Sequence, residues 1–209
     1  MHLLVTDRLT CVRCGPTFGL VLVADDLRDR RLLEGFLGCS NCRDRYPVQG
    51  GFGDLRPAPR RALPSERLES PPDPEGALRL AALLGVREGP GLVLLTSSSA
   101  QQAPGVAELV EGIEVVAVHP GLFGYEERPG VSRMVCGEGL PFFSGSLRGA
   151  VVEGPRPSEG VREAIRVLAP GARLVWLDPP AGSIEGLEAA GIKLLIETHS
   201  VLVGARKSP

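Results

Sequence analysis

Gly91-Leu92-Val93-Leu94-Leu95 and Ile113-Glu114-Val115-Val116-Ala117-Val118 are two short, continuous apolar runs. Each is too short for a helix and lacks the alternation of a half-exposed strand, so each reads as a strand buried on both faces. Between them, Thr96-Ser97-Ser98-Ser99-Ala100 is a polar loop and residues 104–111 have helical spacing. The alternation extends in both directions. Residues 75–84 read as a helix, Ser132–Cys136 and Gly149–Glu153 as strands, residues 158–168 as a helix, Arg173–Leu177 as a strand and residues 183–190 as a short helix. Val161, Ala164, Ile165 and Leu168 share one helical face, and Pro170-Gly171 ends that helix. Ile192–Glu197 and Val201–Ala205, joined through Thr198-His199-Ser200, make a closing antiparallel pair. Such alternation predicts an α/β domain over residues 75–209: a mostly parallel sheet, helices on both faces and an antiparallel last strand.

Upstream, the composition changes. Residues 57–74 hold six prolines with no helical period and read as an extended linker. Residues 1–56 read as a small separate module. Four of the five cysteines lie there as two C-x-x-C pairs, Cys11/Cys14 and Cys39/Cys42, separated by 24 residues. Each pair can present two thiolates from one tight turn, and two such knuckles complete the tetrahedral four-sulfur set that structural zinc prefers. Gly15 follows the first knuckle, where a turn tolerating positive φ is expected; Arg43 holds the equivalent place in the second. Four thiolates leave no open coordination position, so the expected Zn2+ is structural and not catalytic. Leu20–Ala24 reads as a strand, and the charged stretch Leu27–Leu37 as a short helix or a loop-rich insert.

Composition narrows the function classes. The 209 residues are 43% hydrophobic and 23% charged, as in an ordinary globular protein. The net charge of −2 argues against a surface built to coat nucleic acid, and 4% aromatics argue against a base-stacking platform. No apolar run approaches the roughly 18 residues that a membrane helix needs, and the N-terminus lacks a signal-peptide pattern. A cytoplasmic protein without a membrane partner is expected. Arg13, Arg28, Arg30, Arg31, Arg43 and Arg45 could give the cysteine-bearing module a basic face for RNA, unless Asp25, Asp26, Asp29 and Asp44 neutralise it.

Two stretches carry family resemblances. Leu9-Thr10-Cys11-Val12-Arg13-Cys14, Cys39-Ser40-Asn41-Cys42 and Tyr46-Pro47-Val48 with Gly50-Gly51 resemble the zinc-ribbon family that serves as activator subunit of tRNA, rRNA and release-factor methyltransferases. Gly139-Leu140-Pro141-Phe142, the segment Ala164–Leu174 and the final strand resemble a class I S-adenosylmethionine-dependent methyltransferase domain of Rossmann-like fold. The second resemblance implies a cofactor site at the strand ends. It places Thr96, Ser97 and Ser98 in the first loop, His119 where an acid ordinarily holds the ribose, and Glu138 after the third strand. The first loop has no glycine until Gly105, and Arg148-Gly149 stands where an aspartate ordinarily opens the fourth strand. Asp178-Pro179-Pro180 is similar to a catalytic motif of amino methyltransferases, but it follows the fifth strand and lacks the aromatic residue; it reads as a strand-ending turn. No catalytic residue is assigned.

These departures favour a zinc-binding, methyltransferase-like pseudoenzyme that has lost S-adenosylmethionine-dependent catalysis and holds a protein or ribonucleoprotein partner. The alternative is an active, divergent methyltransferase acting on RNA or a translation-related protein, with S-adenosylmethionine as cofactor.

Overall fold

The computed structural model describes residues 1–64, 67–68, 73–137, 139–155 and 158–208. A one-turn helix α1 (Leu3–Thr6) precedes four strands, β1 (Leu20–Arg28), β2 (Arg31–Cys39), β3 (Arg45–Gln49) and β4 (Phe52–Leu55). Then follow α2 (Pro74–Leu84), β5 (Gly91–Thr96), a 3-10 turn (Ser97–Gln102) running into α3 (Ala103–Leu109), β6 (Ile113–Val118), β7 (Val131–Cys136) and β8 (Leu147–Glu153). The chain closes with α4 (Ser158–Val167), β9 (Leu168–Leu177), α5 (Ser183–Ala189), β10 (Ile192–Glu197) and β11 (Val201–Arg206).

Among the described residues, eleven strands belong to one sheet, in the order β1-β2-β3-β4-β7-β6-β5-β8-β9-β11-β10. The strands from β4 to β9 in that order run parallel, as the continuous apolar runs predict. β11 is antiparallel to both neighbours and lies between β9 and β10, so the edge is β10 and not the last strand. α4 and α5 pack on one face; α2 and α3 pack on the other. The expected α/β class with helices on both faces is the observed one.

Two local expectations fail. Leu27–Leu37 is neither helix nor insert: its residues end β1 and build β2, a hairpin reversing at Asp29 and Arg30 with φ of 47° and 61°. Charged residues sit there because most of β1 is exposed, and an exposed strand tolerates Asp and Arg without an apolar period. Likewise, α4 stops at Val167, and Pro170-Gly171 lies inside β9 and not beyond a helix end. The pairing with β8 skips there, from Leu147↔Leu168 to Gly149↔Arg173, so a bulge absorbs the proline. Elsewhere turn chemistry acts as expected. Gly50 and Gly51, with φ of 53° and 75°, close the β3–β4 hairpin as a two-residue turn of the primed kind.

The first 55 residues and the parallel sheet meet along β4 and β7, from Phe52↔Arg133 to Leu55↔Cys136. Above that seam the β7–β8 connection has no α-helix among its described residues. The N-terminal segment covers the sheet face instead: Val5, Leu9, Leu32, Leu37 and Tyr46 join Phe142, Met134 and the α4 residues in one core. Of the 57–74 stretch, Leu63 and Leu68 pack on the opposite core, and the Leu68 N–H donates to Gly121 O at 3.0 Å.

Beneath the seam lies a buried charge network. Arg31, from β2, donates to both Glu114 carboxylate oxygens at 3.2 and 3.0 Å and also to Glu127. Arg133 donates to Glu127 at 3.2 Å and to Gly50 O at 2.8 Å; the Ser132 hydroxyl donates to Glu114 at 2.7 Å. Removing Glu114 leaves the buried Arg31 and Arg133 sharing Glu127, with too little negative charge to compensate them. Glu114→Ala is therefore expected to cost about 3–5 kcal/mol in denaturant unfolding. Acid should act on the same network. Burial opposes ionisation of Glu127, but the Met1 amine and Arg31 outweigh it and hold its carboxyl below the ordinary 4.5. Arg166 likewise holds Glu163 low. Their contributions are present above about pH 4.5 and are lost as pH falls through the lower folded values. Stability measured from about pH 6 down to about pH 3 should decline, and Glu127→Gln should flatten the decline.

Candidate metal centre and strand-end crevice

The four sulfurs of Cys11, Cys14, Cys39 and Cys42 lie within 4.8 Å of one another. Cys11 Sγ is 3.6 Å from Cys42 Sγ, and Cys39 Sγ is 3.8 Å from Cys14 Sγ. A disulfide requires about 2.05 Å. A tetrahedron of 2.3 Å metal–sulfur bonds has edges of about 3.8 Å, so the cluster fits a four-thiolate metal site. Backbone turns aim the sulfurs: Gly15 N–H donates to Cys11 O and Arg43 N–H to Cys39 O, each at 3.0 Å. Gly15 and Arg43 both adopt positive φ, 90° and 62°. The arginine thus repeats the glycine's conformation, and the two knuckles are geometrically equivalent. Cys11 and Cys39 are buried, while Cys14 and Cys42 are half-buried.

Most arginines of the ribbon region are already engaged. Arg28 pairs with Asp26 at 2.8 Å, Arg13 with Asp44 at 4.0 Å, Arg31 with Glu114 at 3.0 Å, and Arg45 lies over the Phe36 ring. Only Arg30 and Arg43 of the six show no such acid or ring partner among the described residues.

The structure brings Thr96, Ser97, Ser98 and His119 to the ends of adjacent parallel strands, since Thr96 pairs with Val118. Glu138 lies outside the described residues. The strand order reverses at β5, with β6 on one side and β8 on the other, the place where open parallel sheets hold ligands. A residue not singled out in the sequence stands there. Glu153, at the end of β8, accepts from the Ser98 N–H at 3.0 Å, the Ser98 hydroxyl at 2.7 Å and the Ser99 N–H at 3.3 Å. The loop's outward donors are thereby turned onto an internal carboxylate. The other predicted groups are also engaged: the Thr96 hydroxyl donates to Val151 O at 3.1 Å, and His119 Nδ1 accepts from Gly121 N at 3.0 Å. Burial lowers the His119 pKa below 6.5, which favours the neutral ring that can accept this bond. Ser97 carries the strain of the turn, with φ of 59°. Asp178 follows β9 in a left-handed turn, φ 47°, with its N–H on Ser200 O. His199 is exposed between β10 and β11.

A cavity of about 780 Å³ lies beside α2 and α3, with Ala77, Ala103, Ala117, Leu122, Tyr125 and Val131 among its lining residues. Thr96, Ser97, Ser98 and His119 are not among its lining residues. No helix among the described residues is long and apolar enough to cross a membrane.

No protein-family model and no curated protein matches the chain. Solved structures do. One match is in the complex between the Haloferax volcanii Trm112 methyltransferase activator and a candidate methyltransferase: 15% identity, TM-score 0.50, covering 64% of this chain and 90% of that one. Another is the tRNA (m1A58) methyltransferase TrmI from Aquifex aeolicus: 16% identity, TM-score 0.49, covering 69% and 72%. The Burkholderia thailandensis 1,6-didemethyltoxoflavin-N1-methyltransferase matches at 16% identity, TM-score 0.48, covering 64% and 77%.

Cys39→Ser, which removes one buried corner of the cluster, is expected to abolish stoichiometric metal binding as read by elemental analysis, with a lower melting temperature than the parent. The likeness to known structures is one of fold: this chain has the α/β architecture of the class I methyltransferases, with a four-cysteine cluster set on its N-terminal side.

Proposed function

We propose that this chain is a zinc-stapled, methyltransferase-like protein that has lost S-adenosylmethionine-dependent catalysis and serves as a partner-binding or scaffold protein. The observation that carries the reading is Glu153. Its carboxylate occupies the Ser98 and Ser99 amides and the Ser98 hydroxyl, donors that a ligand at the first strand end would otherwise use. A ligand carboxylate, such as that of a bound amino-acid group, would meet a like charge there. The loop also lacks the glycine that would let a ligand approach its backbone.

In this reading, residues 1–56 act as a ribbon built into the same chain as the domain it supports, with residues 57–74 as the connection. Zn2+ is the metal expected for four thiolates of this spacing, in a structural role. Four cysteines drawn together as free thiols suit a reducing compartment such as the cytoplasm. The pairing of ribbon arginines with Asp26, Asp44 and Glu114 favours a protein surface over RNA as the partner. The Haloferax structure, an activator in complex with a candidate methyltransferase, lends support to a ribbon working beside such a fold.

The test is isothermal titration of S-adenosylmethionine and S-adenosylhomocysteine into the zinc-loaded chain. No heat of saturable binding is expected from either ligand. Saturation at micromolar concentration would overturn the reading and favour the active, divergent methyltransferase, with Ser97, Ser98 and His119 on the cofactor side.

A further inference from the structure

The metal cluster has an unusual neighbour on its buried side. Tyr46, fully buried in β3, places its hydroxyl 3.2 Å from Cys11 Sγ. Cys11 is itself 1% exposed, so no water competes for that sulfur from outside. On the exposed side the Asn41 amide nitrogen lies 3.3 Å from Cys14 Sγ. Four thiolates around a divalent ion carry a net charge of −2, and such a site needs nearby donors and cations when it is partly buried. Arg60 supplies the cation. It belongs to the segment after β4, lies 5.0 Å above the Tyr46 ring and approaches Asp44 at 3.5 Å. Its Nε and Nη2 are buried without a hydrogen-bond partner among the described residues, so the guanidinium is held by the Tyr46 ring and by the ion pair of Nη2 with Asp44. A guanidinium on the ring face draws electron density from the phenol and makes its O–H a stronger donor.

We propose that Tyr46, backed by Arg60, is a positioning residue for the metal centre: its hydroxyl donates to the metal-bound Cys11 thiolate and sets how tightly the metal is held. The proposal rests on the four-thiolate metal reading given above. It ties the metal to the segment following the ribbon, because the cation comes from that segment.

Cobalt(II) substitution tests it. A four-thiolate cobalt site has intense sulfur-to-metal charge-transfer bands, and a hydrogen bond to a ligating sulfur moves them to higher energy. In the 209-residue chain, Tyr46→Phe keeps the buried ring and removes only the hydroxyl. Its charge-transfer band should shift to lower energy, and zinc affinity measured against a chromogenic chelator should fall about 10–100-fold. Arg60→Met, which leaves the hydroxyl in place, should shift the band in the same direction by less, and Arg60→Lys should restore part of the shift. This second pair of variants carries the test if Tyr46→Phe does not fold. An unshifted band in Tyr46→Phe overturns the proposal, even where the affinity falls, since that pattern marks a packing role. A parent chain whose cobalt spectrum shows fewer than four thiolates overturns the metal reading itself, and the two failures are told apart by the parent spectrum alone.

Discussion

Four residues of parallel pairing, Phe52–Leu55 on Arg133–Cys136, make one sheet out of two. Without that seam the hairpins β1–β4 would end in an open edge and β7 would be the exposed flank of a parallel sheet. Neither is comfortable: an unpaired edge presents a row of backbone donors and acceptors, and parallel strands ordinarily need covering on both faces. The seam resolves both, and the buried Arg31–Glu114–Glu127–Arg133 network fixes its position. Charges from both segments meet there, so a slipped register would strand at least one of them in the core. The N-terminal segment then fills the sheet face over Phe142 that the β7–β8 connection, with no helix among its described residues, leaves open.

The strand-end crevice has a different logic. The strand order reverses there, a polar loop follows the first strand, and a histidine with a lowered pKa ends the second, the position where open parallel sheets commonly hold ligands. Its hydrogen bonds, however, close inward. Glu153, Val151 and Gly121 take up the groups that the loop and the histidine could offer outward.

The sequence made the parallel sheet and the cysteine cluster legible for separate reasons. Buried parallel strands such as Leu92–Leu95 and Val115–Val118 are continuous apolar runs, a signal independent of tertiary context. The C-x-x-C spacing expresses coordination geometry directly. What stayed hidden depended on strand order or on exposure. The β1–β2 hairpin carries charges because it is largely solvent-facing, so its pattern resembles a loop. Glu153 looked like an ordinary strand end, since nothing in a linear reading places β8 beside β5 and its carboxylate beneath Ser98. Arg31 and Glu114 lie 83 residues apart, and their pairing is a property of the assembled seam. Arg43 shows the opposite limit: the second knuckle needs the left-handed backbone, and the chain adopts it with a residue that does not advertise it.

The seam also changes the thermodynamic character of the assembly. When two separate chains share a sheet, their contact follows mass action and dissolves on dilution. Here β4 and β7 are joined by fewer than eighty residues, so their meeting is intramolecular, with an effective concentration set by the tether and not by how much protein is present. In the zinc-bound reading proposed above, free energy released by metal binding among the cysteines would be shared with the parallel sheet at any dilution. In that reading, metal supply rather than protein concentration would set how much of the folded chain is present.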